Sequence, residues 1–223
     1  MEITEAIRTR RSIRRYKPEP VPKKLLEEIV ETSQWAESPQ NTQPWEFAIV
    51  GGDLVEELKA RMTEKFVANE TEEPELPQMT LPEPYSQRAA DYRNGSDSYQ
   101  FPPGTEDVEE KRRVYMLTNM QFRTAPNVIV VYAEKSIGLN HNTLIGIGAM
   151  AQTVCLTALA HGLGTCIMGA PRYHSLLKEK LGIPDSKVIL HVIGIGYPDM
   201  EARVNNFPRT RIPLDSWVHW HGF

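Results

Sequence analysis

"SPQNTQPWEF" at residues 38–47 runs without a break into the apolar stretch "AIVGG" at 48–52. Prolines, amide side chains and a tryptophan crowd a loop that enters a buried-looking strand directly. Pro39 and Pro44 fix φ, and Ser38 and Asn41 suit local turn hydrogen bonds, so a plain surface turn is one reading. Trp45 argues for a second. An indole is a large apolar surface that needs cover, and a rigid loop carrying one suits the wall of a binding site.

Around this loop the chain alternates helical and extended patterns. "ITEAIRTR" reads as a short helix, and "VPKKLLEEIVETSQWA" as a longer one. In the longer helix Pro22 opens the first turn, and Leu25, Leu26, Ile29, Val30 and Trp35 recur at helical spacing. "EFAIVGG" is strand-like and leads into "DLVEELKARMTEKF", with Asp53 as the expected cap. "EDVEEKRRVYMLTNMQFR" is helical, and "APNVIVVYAEK" is the clearest strand. "NTLIGIGAMAQTVCLTALAHGLG" is apolar almost all round and rich in small residues. A helix of that kind belongs in a core or a subunit interface, and Gly162 and Gly164 end it. "TCIMGAP" and "KVILHVIGIGYP" are strands on either side of the helix "YHSLLKEKLGIP". Between about 71 and 104 the periodicity fails: the stretch is rich in proline and polar residues, with Tyr85, Tyr92, Tyr99 and Phe101 spaced along it. A loop that long inside one domain is functional or disordered, and its aromatic residues favour a partly ordered lid. The pattern is that of a three-layer α/β or α+β domain.

The 223 residues fit one domain spanning 1–223, with a lid-like insertion at about 71–104 and a C-terminal extension at about 203–223. A net charge of −4 argues against nucleic acid or an acidic membrane surface as the main partner. The two cysteines, Cys155 and Cys166, form no C-x-x-C pair, and no histidine stands at metal-ligand spacing, so no metal site and no disulfide are expected. The N-terminus has no apolar h-region, and no run of about 18 apolar residues stands out. The expected setting is cytoplasmic, with no membrane partner. No G-x-G-x-x-G follows a strand, and no Walker loop, G-x-S-x-G or H-E-x-x-H occurs.

Two arginine clusters remain. "RTRRSIRRY" (8–16) surrounds Ser12 at a helix end, where cations suit the helix dipole; "PRTRIP" (208–213) lies near the other end of the chain. If they converge, their planar guanidinium groups suit a single phosphate.

Taken in order, "RRSIR" (10–14), "SPQNTQPWEF", "AHGLGTCIMGAP" (160–171), "IGIGYPD" (193–199) and "RTRIPLD" (209–215) resemble the nitroreductase family of FMN-dependent oxidoreductases. The resemblance covers the chain apart from 70–105. It implies an α+β fold: a three-layer sandwich with a central mixed, mainly antiparallel sheet flanked by helices. It also implies an intertwined homodimer with FMN at the interface, NADH or NADPH as reductant, and a small aromatic or quinone-like substrate.

By the same resemblance, Arg10 and Ser12 match phosphate-side contacts with Arg11 beside them, Arg211 matches the C-terminal phosphate ligand, and Arg209 matches the basic residue two before it. Arg14 matches the basic residue near flavin N1 and the C2 carbonyl. Met168 and Gly169 match the backbone positions beside N5 and O4. Ser38, Pro39 and Asn41 match flavin contacts contributed by the opposite subunit, braced by Gln43-Pro44-Trp45. No protein nucleophile is implied, because hydride passes from NAD(P)H through flavin N5 to electron-poor acceptors such as nitroaromatics or quinones, in ping-pong order. Arg14 supplies electrostatic support. Reductive dehalogenation, flavin fragmentation with oxygen and flavin-dependent dehydrogenation are the alternatives within the family. A non-catalytic flavin-binding module is the alternative outside it.

Overall fold

The computed structural model describes residues 2–77, 79–101, 103–137, 140–169 and 171–223. Seven helices occur among them: α1 (Ile3–Thr9), α2 (Lys23–Ser33), α3 (Asp53–Val67), α4 (Tyr85–Gln100), α5 (Val108–Met120), α6 (His141–Ala160) and α7 (His174–Leu181). The four strands are β1 (Glu46–Val50), β2 (Asn127–Glu134), β3 (Gly164–Met168) and β4 (Lys187–Gly196). They form one sheet in the order β1-β2-β4-β3, with every neighbouring pair antiparallel. The parallel component is a single bridge, Ser12 to Thr165.

Strand alternation builds the three layers. On β2, Ile129, Val131 and Ala133 face one core with α2 and α6, whereas Val128 and Val130 face a second with α3 and α7. On β4 the phase changes part-way. Val188 and Leu190 share the α6 core, and so do Ile193 and Ile195, although their parity differs. A bulge causes the change: Val131 pairs with His191 but Tyr132 with Ile189, leaving Leu190 as the extra residue. Both faces of the sheet therefore stay apolar to their ends.

α6 is corrected in one respect. It is long and apolar enough, by length and composition, to cross a membrane, contrary to the sequence expectation. Its packing is that of a core helix: Ile147, Met150, Ala151, Val154, Cys155 and Ala158 are buried against α2 and the sheet, while Leu144 and Ile145 stay exposed. Asn140 caps its start by accepting from the Thr143 N–H at 3.1 Å, and Gly162, with φ +75°, turns the chain out at its end.

The segment at 71–104 also departs from expectation, because its second half is the helix α4. Few of its side chains are apolar and only Ser96 is buried, so no periodic face announces it. Tertiary contacts hold it instead. Tyr92 and Tyr99 meet the ring of Phe207 edge-on, with centroids 5.4 and 5.9 Å away. The first half is pinned elsewhere. Tyr173 Oη donates to the Glu70 carbonyl at 3.1 Å, the Ser175 N–H to Glu72 at 3.1 Å, and Lys178 and Lys135 hold Glu75 at 2.5 and 3.1 Å. Residues 78 and 102 lie outside the described residues. Two smaller expectations also fail: Trp35 lies past the end of α2 and is 86% exposed, and Asp53 opens α3 without a side-chain cap.

Gly164 fixes the N-terminal segment onto the sheet. A Cβ built there would lie 2.4 Å from Ile13 Cγ1 and 2.9 Å from Ile13 Cβ. Ile13 is itself buried against Tyr16 and Ala125, so it has nowhere to move. Gly164→Ala is expected to cost about 1–3 kcal/mol through overpacking. The check is a thermal melt; an unchanged Tm would mean that residues 12–13 are not locked against β3.

Candidate functional site

The two arginine clusters meet. α1 ends at Thr9, and the chain beyond it runs along the C-terminal segment. Arg209 donates to the Arg10 carbonyl and, at 2.8 Å, to that of Arg8, while Arg11 donates to the Phe207 carbonyl. Arg209 thus serves the open carbonyl end of α1, where a cation is favoured. The clusters line one groove of about 870 Å³, walled on the other side by Arg88, Asp91, Tyr92 and Tyr99 of α4.

Arg10, Arg11, Arg14, Arg209 and Arg211 have no carboxylate within 4.0 Å among the described residues. Burial, and then the charge of Arg14, lowers the pKa of Arg11; burial followed by Arg11, Arg211 and Arg10 lowers that of Arg209. Crowded cations without counter-ions are a standing demand for an anion. Arg211 spends a single N–H on the neighbouring Thr210 carbonyl, at 2.7 Å, and is otherwise open.

Arg14 is the pivot. It lines the groove and also a second cavity of about 400 Å³, shared with Ser12, Cys166, Ile167, Met168 and Gly169. Its Nη2 donates to Tyr92 Oη at 2.7 Å and its Nη1 to the Ser12 carbonyl at 3.2 Å. Its backbone N–H donates to Asn205 Oδ1 at 2.7 Å. Asn205 is fully buried, and its Nδ2 donates to the carbonyls of Arg15 and Asp199, each at 2.7 Å. One amide side chain thus fixes the path of residues 14–15. No sequence motif singled it out.

At the second cavity the sheet offers bare backbone. β3 is an edge strand, and the Ile13 N–H donates to the Thr165 carbonyl at 2.9 Å, so Thr165 turns its backbone groups away from β4. By alternation Ile167 does the same, and nothing lies within 4 Å of where a Gly169 Cβ would be. Met168, between them, pairs with Val192 of β4.

Comparison with known proteins now decides the family. The family model described as "Nitroreductase family" matches residues 7–197. The chain belongs to the nitroreductase family. The 4-nitrobenzoate reductase of Pseudomonas putida is 28% identical over 97% of this chain and 94% of its own length. The chloronitrobenzene nitroreductase of Comamonas testosteroni is 26% identical, over 97% and 95%. Among solved structures, a point mutant of the FMN- and NADPH-dependent nitroreductase NfnB from Sphigopyxis sp. strain HMH matches with a TM-score of 0.92 and 25% identity, over all of both chains. The α+β nitroreductase fold expected from the sequence is the one observed.

Not every expected residue of this nitroreductase-family chain falls in one place. Arg10, Arg11, Ser12, Arg14, Arg209 and Arg211 share the groove, and Ser12, Arg14, Met168 and Gly169 share the adjoining cavity. Ser38, Pro39 and Asn41 line neither of them. Their loop is a 3₁₀ turn seated on α6, where a Cβ at Gly146 would lie 3.3 Å from Ser38 Cβ. Gln40, Asn41 and Gln43 hold left-handed φ values of 53°, 56° and 45°, and the Gln43 N–H donates to Ser38 Oγ at 3.0 Å. Side chains other than glycine hold such values at a cost, and turns of this kind concentrate at binding sites.

Proposed function

We propose that this chain binds FMN along the arginine groove and the adjoining β3 cavity, and uses it to carry reducing equivalents from NADH or NADPH to nitroaromatic or quinone-like acceptors. The arginine cluster, none of whose members is ion-paired among the described residues and which is continuous through Ser12 and Arg14 with the open edge of β3, carries the reading. It fits a ligand with a phosphate at one end and a flat, hydrogen-bonding ring at the other. The names of the relatives agree with it: they reduce nitrobenzoate and chloronitrobenzene, and NfnB depends on FMN and NADPH.

FMN, when bound, would supply two-electron redox chemistry. The chain's own residues do the rest. Arg10, Arg11 and Arg211, with Ser12, hold the phosphate. Arg209 fixes the α1 end on which two of them sit. Arg14 sets a positive charge at the dioxo end of the ring, favouring electron uptake there, and Asn205 and Tyr92 fix its place. The amides of Ile167 and Gly169 would meet the ring's polar edge, with Met168 lining the same cavity. Ser38, Pro39 and Asn41 reach the ring from a second copy of the chain, in a homodimer that covers Leu144 and Ile145 of α6 and the exposed Trp217 and Trp220 of the tail. Both cysteines are free thiols, which suits a reducing cytoplasm.

The test is sedimentation of the purified protein with its FMN content measured. The expected result is a dimer carrying FMN in each of two sites, with FMN lost on dilution to monomer. A monomer that retains stoichiometric FMN would contradict the split site.

A further inference from the structure

We propose that a third cavity, of about 270 Å³ on the far side of Arg14, is an anion subsite. It receives a carboxylate or phosphate group carried by one of the enzyme's two substrates, with Arg123 and Arg203 as its recognition residues. The proposal rests on the flavin reading above and names the chemistry of the substrate that approaches it.

Four arginines, Arg14, Arg15, Arg123 and Arg203, line this cavity, and no aspartate or glutamate does. Arg14, Arg123 and Tyr115 also line the β3 cavity, so the two spaces share a wall. Arg123 is the unusual member. It is only 6% exposed, yet it has no carboxylate within 4.0 Å among the described residues. Its Nη1 donates to Thr118 Oγ1 at 3.1 Å and its Cζ lies 4.4 Å from the centre of the Tyr115 ring, but its buried Nε has no partner. Burial lowers its pKa against the opposing effects of Tyr115 and Cys166, and the neighbouring charge of Arg14 adds to the lowering.

A strained turn carries Arg123 there. Phe122, Arg123 and Thr124 take left-handed φ values of 48°, 56° and 66° in succession, though none is glycine. The turn fits because Gly194 on β4 has no side chain: a Cβ there would lie 3.3 Å from the Phe122 carbonyl oxygen and 3.0 Å from Ala125 Cβ. Three strained residues that deliver an unpaired cation to a cavity wall make sense when the cation has a ligand. On the opposite wall the exposed Arg203 leans toward Tyr99, 6.0 Å from its ring centre, leaving its N–H groups free for an incoming oxyanion. None of the residues assigned to the FMN phosphate lines this cavity, so it is separate from that place.

The anion has two possible carriers, an acidic aromatic acceptor or the 2′-phosphate of NADPH, and four pairings separate them. FMN-loaded wild type, Arg123→Met and Arg203→Glu are compared on nitrobenzene and 4-nitrobenzoate, each with NADH and with NADPH. FMN content is matched across the three proteins. A loss of tenfold or more in kcat/KM on 4-nitrobenzoate, with nitrobenzene changed less than threefold, supports the subsite and assigns the anion to the acceptor. The same selective loss on NADPH over NADH supports it and assigns the anion to the reductant. Equal losses in all four pairings, or none, overturn the subsite while leaving the flavin reading intact. If Arg123→Met does not fold, Arg203→Glu gives the same discrimination alone. A wild-type enzyme that turns over none of the pairings would overturn both.

Discussion

Asn205→Ala is expected to lower stability by about 3–5 kcal/mol and to weaken FMN binding at least tenfold, although Asn205 lines neither cavity of the proposed flavin site. The side chain satisfies one N–H and two carbonyls in a fully buried position. Each net bond is worth about 1 kcal/mol, and the groups left unpaired add a desolvation penalty. For a chain of this length that loss lowers Tm by roughly 10 °C. The affinity effect has a separate cause: without the bond to its N–H, the Arg14 backbone is free to wander, and the guanidinium goes with it. Thermal unfolding and fluorimetric FMN titration read the two effects separately. A Tm within 2 °C of wild type, with unchanged affinity, would show that Asn205 does not position Arg14.

Arg211→Ala is expected to separate the two ends of the cofactor. Losing one charge-assisted contact to a phosphate costs about 1.5–3 kcal/mol, roughly ten- to a hundredfold in affinity. Riboflavin has the same ring and no phosphate, so its affinity should change less than twofold. Raising the salt concentration should weaken FMN binding to the wild type more than to the variant, because the variant has one cation fewer to screen. Equal losses for FMN and riboflavin would remove Arg211 from the phosphate site. Arg209→Ala is a useful contrast: its guanidinium is spent on the carbonyls of Arg8 and Arg10, so its loss should appear in stability before affinity.

The layers of this fold were legible because both periodicities are strong. β2 and β4 are nearly continuous runs of branched residues, and α2, α6 and α7 carry clear boundary residues. The strand order and the bulge at Leu190 were not legible, since pairing partners leave no trace in a single strand's pattern. α4 was missed for another reason. A helix with few apolar residues, with Gly95 in it and serines and an asparagine along its length, has no face to detect; Phe207 and the turn at Arg203–Asn205 supply its stability from outside.

The candidate site was half legible. Arginine clusters stand out in sequence, but their convergence depends on how α1 and the tail lie together. Which backbone groups of β3 face the cavity depends on the Ser12–Thr165 bridge, which the strand's own pattern does not record. Asn205 and Arg123 gave no signal. Their importance comes from burial and from what they touch, which composition does not record.

The most direct test of the proposed activity is an anaerobic stopped-flow experiment on the FMN-loaded protein in two steps. Mixing with NADPH, or with NADH, should bleach the flavin absorbance near its visible maximum without any acceptor present. Subsequent mixing with 4-nitrobenzoate or a quinone should restore it in a separate phase, as expected when one site serves donor and acceptor in turn. Flavin that stays oxidised in the presence of both nicotinamides would contradict the account and leave a flavin-binding module without turnover.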